Sequence, residues 1–380
     1  MVKPLLLNKC RGMKKGLLIL GTLMLRLMVL AQGYTVYNNV PEGTGYRIEV
    51  HGHVVAFSDE GSVDANHLPP AMQEWLGQME LEAQLLREGR AMAHRASRRA
   101  ENIEPMLTTR WGQRLPFNLM TPEYDVGAHC ATGCVATAMA QILKYWSAAI
   151  ETKAIPGYTT ETLGLQLEAL PPTTFDYGLM ADEYEDMFDH SESAYAVAKL
   201  MRYCGQAAEM DYDINSGAYT IGRYLADYFG FSSDYEDKDH WTHLINWDDL
   251  IYDELAAGRP MLYSGKKMSG AGHVFVVDGY KDGYFHINWG WNGSNNGYYK
   301  LTLANPDDPD SAYLWEGYRW AQRAVIGLQP DPAATGVGTV RCDSVATNGT
   351  VRGYYNLQGQ RIAKPTKGVY IHNGKSVVVR

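Results

Sequence analysis

Three stretches of this 380-residue chain carry side chains that could do covalent chemistry together. The first is AHCATGCVATAMA at 128–140, where Cys134 follows Thr132-Gly133 and opens an apolar helical pattern. A helix N-terminus holds unpaired N–H groups and the positive end of the macrodipole. A thiol placed there ionises more readily, and the thiolate is the nucleophile. The same N–H groups suit an oxyanion on an attacked carbonyl. Gly133 and the alanines around it let a substrate backbone come close. Three other readings fit Cys134 taken alone: a small core residue under a tight turn, a disulfide to Cys130, or a metal clip. A structural zinc site needs two further Cys or His at matched spacing, and Cys204 and Cys342 stand alone.

The second and third stretches, SGAGHVFVVDGY at 269–280 and YFHINWGWNG at 284–293, favour the nucleophile. A cysteine nucleophile needs an imidazole to take its proton and a third group to orient that imidazole. His273 starts a strand after Gly270-Ala271-Gly272, and Asn288 lies on the partner strand beyond the Lys281-Asp282-Gly283 turn. A hairpin loop of two or four residues puts His273 and Asn288 on one side of the sheet, where the asparagine would orient the histidine. Trp289 and Trp291 flank them, one to shield the His–Asn bond from water and one to wall the cleft. His129 is nearer Cys134 in sequence but lies before the tight turn, with no orienting partner beside it. His286 falls near the hairpin turn and reads as packing.

These groups need rigid elements. GCVATAMAQILKYW places Val135, Met139, Ile142, Leu143 and Trp146 on one side of a buried helix, and SAYAVAKLMRYCGQAA is a second. Helices first and hairpins later over 106–330 predict an α+β fold with two lobes. Residues 34–57 alternate as strands, and a helix follows Pro69-Pro70 with Met72, Trp75, Leu76 and Met79 at helical spacing. The basic, polar stretch 87–105 reads as an exposed connector open to cutting, at Arg98-Arg99 first, so 32–105 is a separable unit. Beyond 330 a linker leads to a small β module with Asn-Gly turns.

Met13-Lys14-Lys15, an apolar run and Val29-Leu30-Ala31 predict a signal peptide over 1–31 and an exported protein, secreted or at the cell surface. Met13 is the better start of that signal. No other stretch approaches a membrane span. A net charge of −9 argues against a nucleic-acid groove. Five cysteines scattered along the chain form no disulfide framework.

Together TGCVATAMAQILKYW, GAGHVFVVDGY, FHINWGWNGSNNGYYKLT, MLTTRWGQRLPFN and TTFDY resemble the streptopain family of secreted bacterial cysteine proteases. The resemblance covers about residues 40–330. It implies a papain-like two-lobed fold, with Cys134 as nucleophile, His273 as proton acceptor and donor, Asn288 in the orienting place and Trp289 beside it. It makes Gln113, in WGQ, a second oxyanion donor. It implies protein or peptide substrates and no cofactor. The stretch 43–76 resembles the end of such enzymes' inhibitory prodomain, here shortened, which makes the chain a zymogen inhibited by its own N-terminal part. The last 28 residues resemble C-terminal segments of exported proteins from Bacteroidetes-type bacteria, which implies surface attachment or a dedicated secretion route. Two competing readings are another Cys–His acyl-transfer enzyme (a cell-wall amidase or transglutaminase) and a non-catalytic binding protein on a protease scaffold.

Overall fold

The computed structural model describes residues 33–39, 45–94, 99, 101–218, 221–237, 246–266, 272–304 and 322–335, with short strands between 354 and 379. The expected signal segment lies outside the described residues.

The N-terminal strands are β1 (Tyr34–Asn38), β2 (Tyr46–Val50) and β3 (His53–Ser58), followed by helix α1 (Pro70–Arg87). A short ribbon of β4 (Glu123–Asp125) and β5 (Ala128–His129) precedes α2 (Cys134–Trp146). A second ribbon, β6 (Tyr158–Thr159) with β7 (Gln166–Leu167), precedes α3 (Glu192–Ala207) and the short α4 (Tyr224–Tyr228). Then come β8 (Phe231–Asp237), α5 (Trp247–Ala256), β9 (Met261–Lys266), β10 (Gly272–Lys281), β11 (Tyr284–Asn288), β12 (Gly297–Tyr299) and β13 (Arg323–Pro330). Nine strands form one antiparallel sheet in the order β1-β2-β3-β12-β11-β10-β9-β13-β8.

Two cores explain the expected lobes. Helix α2 is buried all round from Val135 to Leu143, mostly apolar with Thr137 and Gln141 as the polar exceptions, as suits a helix sealed inside a lobe. It packs with α3 and against the Val274 and Val276 face of β10. The other face of the sheet presents Phe275, Val277, Phe285, Ile287 and Trp289 to a second core. Met72, Trp75, Leu76 and Met79 of α1 complete that core. Burying such side chains is worth about 1.5–3 kcal/mol each, so α1 is firmly attached.

The N-terminal segment is continuous with the body. Strand β3 pairs with β12 through Tyr298 and Phe57, and one compact unit runs to Thr335. Glu82, fully buried on α1, accepts hydrogen bonds from Thr302 Oγ1 and the Ala304 N–H at 2.9 and 2.8 Å. The basic connector is anchored to the body at several of its described residues. His94 pairs with Asp248 at 2.8 Å, Arg99 with Asp249 at 3.1 Å, and Ile103 bridges to Tyr280. Among its described residues 87–90 is the longest exposed stretch, with shorter ones at 92–93 and 101–102. Residues 336–380 form a separate unit, whose described strands β14 (Tyr354–Tyr355), β15 (Arg361–Ile362), β16 (Gly368–His372) and β17 (Lys375–Val379) make a sheet in the order β15-β14-β16-β17.

The hairpin of β10 and β11 has the two-residue loop allowed by the sequence, Asp282-Gly283, both with positive φ (51° and 84°). A β-bulge then shifts the register between Val277 and Gly279. The bulged residue, Asp278, is fully buried. Its carboxylate accepts from the Leu107 N–H at 2.9 Å and pairs with His286 Nδ1 at 2.6 Å, and its carbonyl accepts from the Met106 N–H at 3.0 Å. His286 is therefore an anchor for the incoming chain rather than simple packing.

Asp278→Ala should strand the Leu107 N–H and the His286 ring nitrogen in the interior. We expect a loss on the order of 2–4 kcal/mol, read as a lower urea midpoint. An unchanged midpoint would show that the Asp278 anchor carries no stability.

Candidate active site

Chain geometry brings Cys134 beside His273. Cys130, Ala131 and Thr132 are pinned by N–H bonds to the carbonyls of Pro122, Asp213 and Gln113 at 2.8, 3.1 and 3.0 Å. Gly133 then turns with φ 83°, ψ 151° into the helix. A Cβ on Gly133 would sit 2.5 Å from Met210 Sδ, so both the backbone conformation and the space require glycine. No side chain caps the helix start. The first N–H groups of α2 are left facing the half-buried Cys134.

The two neighbouring thiols behave oppositely. Burial, the largest influence on Cys134, raises its pKa, yet the net shift is downward. The charge of His273, a hydrogen bond to its side chain, and the N–H groups of Val274 and Val135 outweigh burial. Burial and then the nearby Asp213 carboxylate push Cys130 up to about 11. Cys130, Cys134 and Cys204 are all free thiols.

His273 is buried at the start of β10, and its Nε2 donates to the Trp289 carbonyl at 2.9 Å. A carbonyl only accepts, so the proton is held at Nε2 and Nδ1 is the nitrogen free to exchange a proton with sulfur. Aromatic rings enclose the imidazole: Trp291 at 5.0 Å, Trp289 at 5.9 Å and Phe275 at 6.4 Å between centroids. Trp289 and Trp291 stack at 4.9 Å.

Asn288 is not hydrogen-bonded to His273, contrary to the expected orienting contact. The Asp278 bulge pairs Asn288 with Val276, three residues from His273 and hence on the opposite face of the sheet. Its Nδ2 donates to the Thr109 carbonyl at 2.8 Å, and its Oδ1 accepts from the Gly290 N–H at 3.1 Å and from Gln141 Nε2 at 3.3 Å. Trp289 supplies the orienting acceptor from its backbone and, with Trp291, the ring wall. Sequence reasoning missed this substitution of one amide carbonyl for another. The signal was Gly279 inside a strand, which marks a bulge.

Gln113 is half-buried beside the Cys134 turn, tied to it by the bond from Thr132. His129 is engaged elsewhere, its Nδ1 at 2.7 Å from the Thr121 carbonyl and its Nε2 at 3.8 Å from Glu123.

Residues 111–299 match the model of the peptidase C10 family. The chain is 30% identical to the thiol protease/hemagglutinin PrtT of Porphyromonas gingivalis, over 73% of this chain and 34% of that protein. It therefore spans about a third of the length of PrtT. It is 28% identical to streptopain of Streptococcus pyogenes, over 73% of this chain and 75% of that protein. A solved fragment of prointerpain A from Prevotella intermedia superposes with a TM-score of 0.62 at 30% identity, covering 78% of this chain and 95% of that one. Among the described residues no helix is long and apolar enough to cross a membrane.

The opposing influences on Cys134 set a test. Alkylation by iodoacetamide follows the thiolate fraction, so a lowered pKa makes Cys134 reactive below the pH at which an ordinary thiol ionises. In His273→Ala the burial and the Val274 and Val135 N–H groups remain while the charge and hydrogen bond of His273, the largest lowering influences, are lost, so the midpoint of the rate-against-pH curve should rise. A midpoint that stays low in this variant would show that the helix start alone acidifies Cys134.

Proposed function

The chain belongs to the peptidase C10 family, and on that premise we propose that it is a secreted cysteine endopeptidase made as a zymogen. The observation that carries the reading is the pairing of an acidified Cys134 at a helix start with a His273 whose Nε2 is held by the Trp289 carbonyl. The alternative nucleophile Cys130 is raised to about 11 and fully buried.

In this reading the Cys134 thiolate attacks a peptide carbonyl and the carbon–sulfur bond forms as the carbonyl π pair moves to oxygen. The Cys134 N–H stabilises that oxyanion, with the Gln113 side chain as second donor. The proton on His273 Nδ1 passes to the leaving amine as the C–N bond breaks. His273 then takes a proton from water, whose oxygen attacks the thioester and releases the acid and the thiolate. Trp289 orients the imidazole through its carbonyl and excludes water with its ring. Asn288 acts at one remove.

The zymogen reading rests on the likeness to prointerpain and on where the N-terminal segment docks. Tyr46 hydrogen-bonds Tyr299 at 2.8 Å, and the Tyr299 ring meets Trp289 edge-on at 5.3 Å. The segment thus reaches the back of the wall that holds His273. Export is proposed from the basic and apolar residues at 13–31, and the C-terminal strands are a candidate sorting unit.

Incubation of purified Met13–Arg380 protein with casein under reducing conditions tests the whole reading. Casein loss and N-terminal self-trimming are expected, both abolished in Cys134→Ala, with the new N-terminus inside 87–106. Casein loss that persists in Cys134→Ala, or no loss even after the connector is nicked with trypsin, would overturn the peptidase assignment. A terminus outside 87–106 would overturn the activation site.

A further inference from the structure

The polar atoms that hold the Trp289 carbonyl in place lead away from the reacting groups to a residue two turns along the nucleophile's own helix. Trp289 C=O and Gly290 N–H are the two ends of one peptide unit, which is planar and rotates as a body. On one side that unit accepts from His273 Nε2 at 2.9 Å, and on the other its N–H donates to Asn288 Oδ1 at 3.1 Å. Turning the plane would break both bonds. The plane is also confined sterically: Gly290 has φ 74°, and a Cβ there would lie 3.1 Å from Thr137 Cγ2 on α2.

Asn288 is held in turn. Its Nδ2 donates to the Thr109 carbonyl at 2.8 Å, which fixes which end of the amide is oxygen. That oxygen accepts a second bond from Gln141 Nε2 at 3.3 Å, and Gln141 Oε1 accepts from Thr109 Oγ1 at 2.9 Å. Thr109, Gln141 and Asn288 therefore close a ring in which each donor has a single compatible acceptor. All three are buried, Gln141 completely. A buried amide is costly unless satisfied, so the ring has one arrangement and resists deformation.

Gln141 lies seven residues after Cys134, on the same face of α2 and about 10 Å along its axis. The helix that carries the nucleophile is thereby bonded, through Asn288, to the peptide that orients its histidine. We propose that Gln141 is a positioning residue for the Cys134–His273 pair, setting the Trp289–Gly290 peptide plane through Asn288 and Thr109. The inference rests on the reading of Cys134 and His273 as the reacting pair. It explains how Asn288 can orient His273 without touching it.

The test measures iodoacetamide alkylation of Cys134 against pH in the intact chain, following the Cys134 peptide by mass spectrometry, together with the melting temperature of each variant. Gln141→Met keeps the volume and removes both polar ends. Thr109→Val removes only the hydroxyl and covers the case in which Gln141→Met does not fold. Either should raise the alkylation midpoint by about one pH unit, lowering the rate at pH 6 about tenfold. Thr109→Ser restores the donor and should retain the wild-type profile. Ile142→Val, in the core next door, should lower the melting temperature and leave the midpoint in place. A wild-type midpoint below that of an ordinary thiol, with Gln141→Met or Thr109→Val unchanged, would overturn the positioning role. A wild-type midpoint at or above that of an ordinary thiol would instead overturn the reading of the reacting pair itself.

Discussion

The hydrogen bond from His273 Nε2 to the Trp289 carbonyl, 2.9 Å long, is the contact that the rest of the site depends on. It assigns the imidazole protons, leaves Nδ1 for Cys134 and ties the histidine to the strand that follows it. An asparagine side chain in this place would offer an amide carbonyl, and so does a peptide group, so the chemistry asked of the acceptor is the same. What differs is what holds it. A side-chain acceptor is fixed by its rotamer, whereas a backbone acceptor is fixed by everything that fixes the chain on either side. Here that means the bulge at Asp278, the tight turn at Gly290 and the bonds made by Asn288.

The bulge has consequences beyond the site. By shifting register it turns Asn288 toward α2 and leaves His273 and Trp289 on the aromatic side of the sheet. It also frees the Asp278 carboxylate to seize Leu107, so the segment leading to Trp111, Gly112 and Gln113 approaches the Cys134 turn from a fixed point. Trp111 and Gly112 in turn meet both lobes: the Trp111 carbonyl accepts from the Asn292 N–H at 3.1 Å and the Gly112 carbonyl from Thr137 Oγ1 at 3.3 Å. One buried carboxylate thus aligns the incoming chain with the strand that bears the histidine.

The elements were legible in the sequence because their signals are local. Cys134 at the head of a mostly apolar helix, the Lys281-Asp282-Gly283 turn, and the apolar stripe Met72, Trp75, Leu76, Met79 each state their structure within a few residues. The pairing of β3 with β12 was not legible, because strand partners far apart in sequence leave no mark on either strand. The connector misled through its charge: Arg99 looked solvated, but Asp249 and Asp253 lie on α5, some 150 residues away in sequence, and take it up. Asn288 was misplaced by one residue of register, the smallest error that exchanges the faces of a sheet. Gln141 gave no signal at all, since a glutamine in a buried helix looks the same whether it fills space or holds a site together.

The central claim is that Cys134 is a nucleophile made reactive by His273, and a covalent peptide probe tests it most directly. A peptidyl vinyl sulfone at pH 6, mapped by mass spectrometry, should add once per chain, at Cys134, and the addition should be lost in His273→Ala. Labelling of Cys130 or Cys204 in place of Cys134, or an equal rate at Cys134 without His273, would contradict the account.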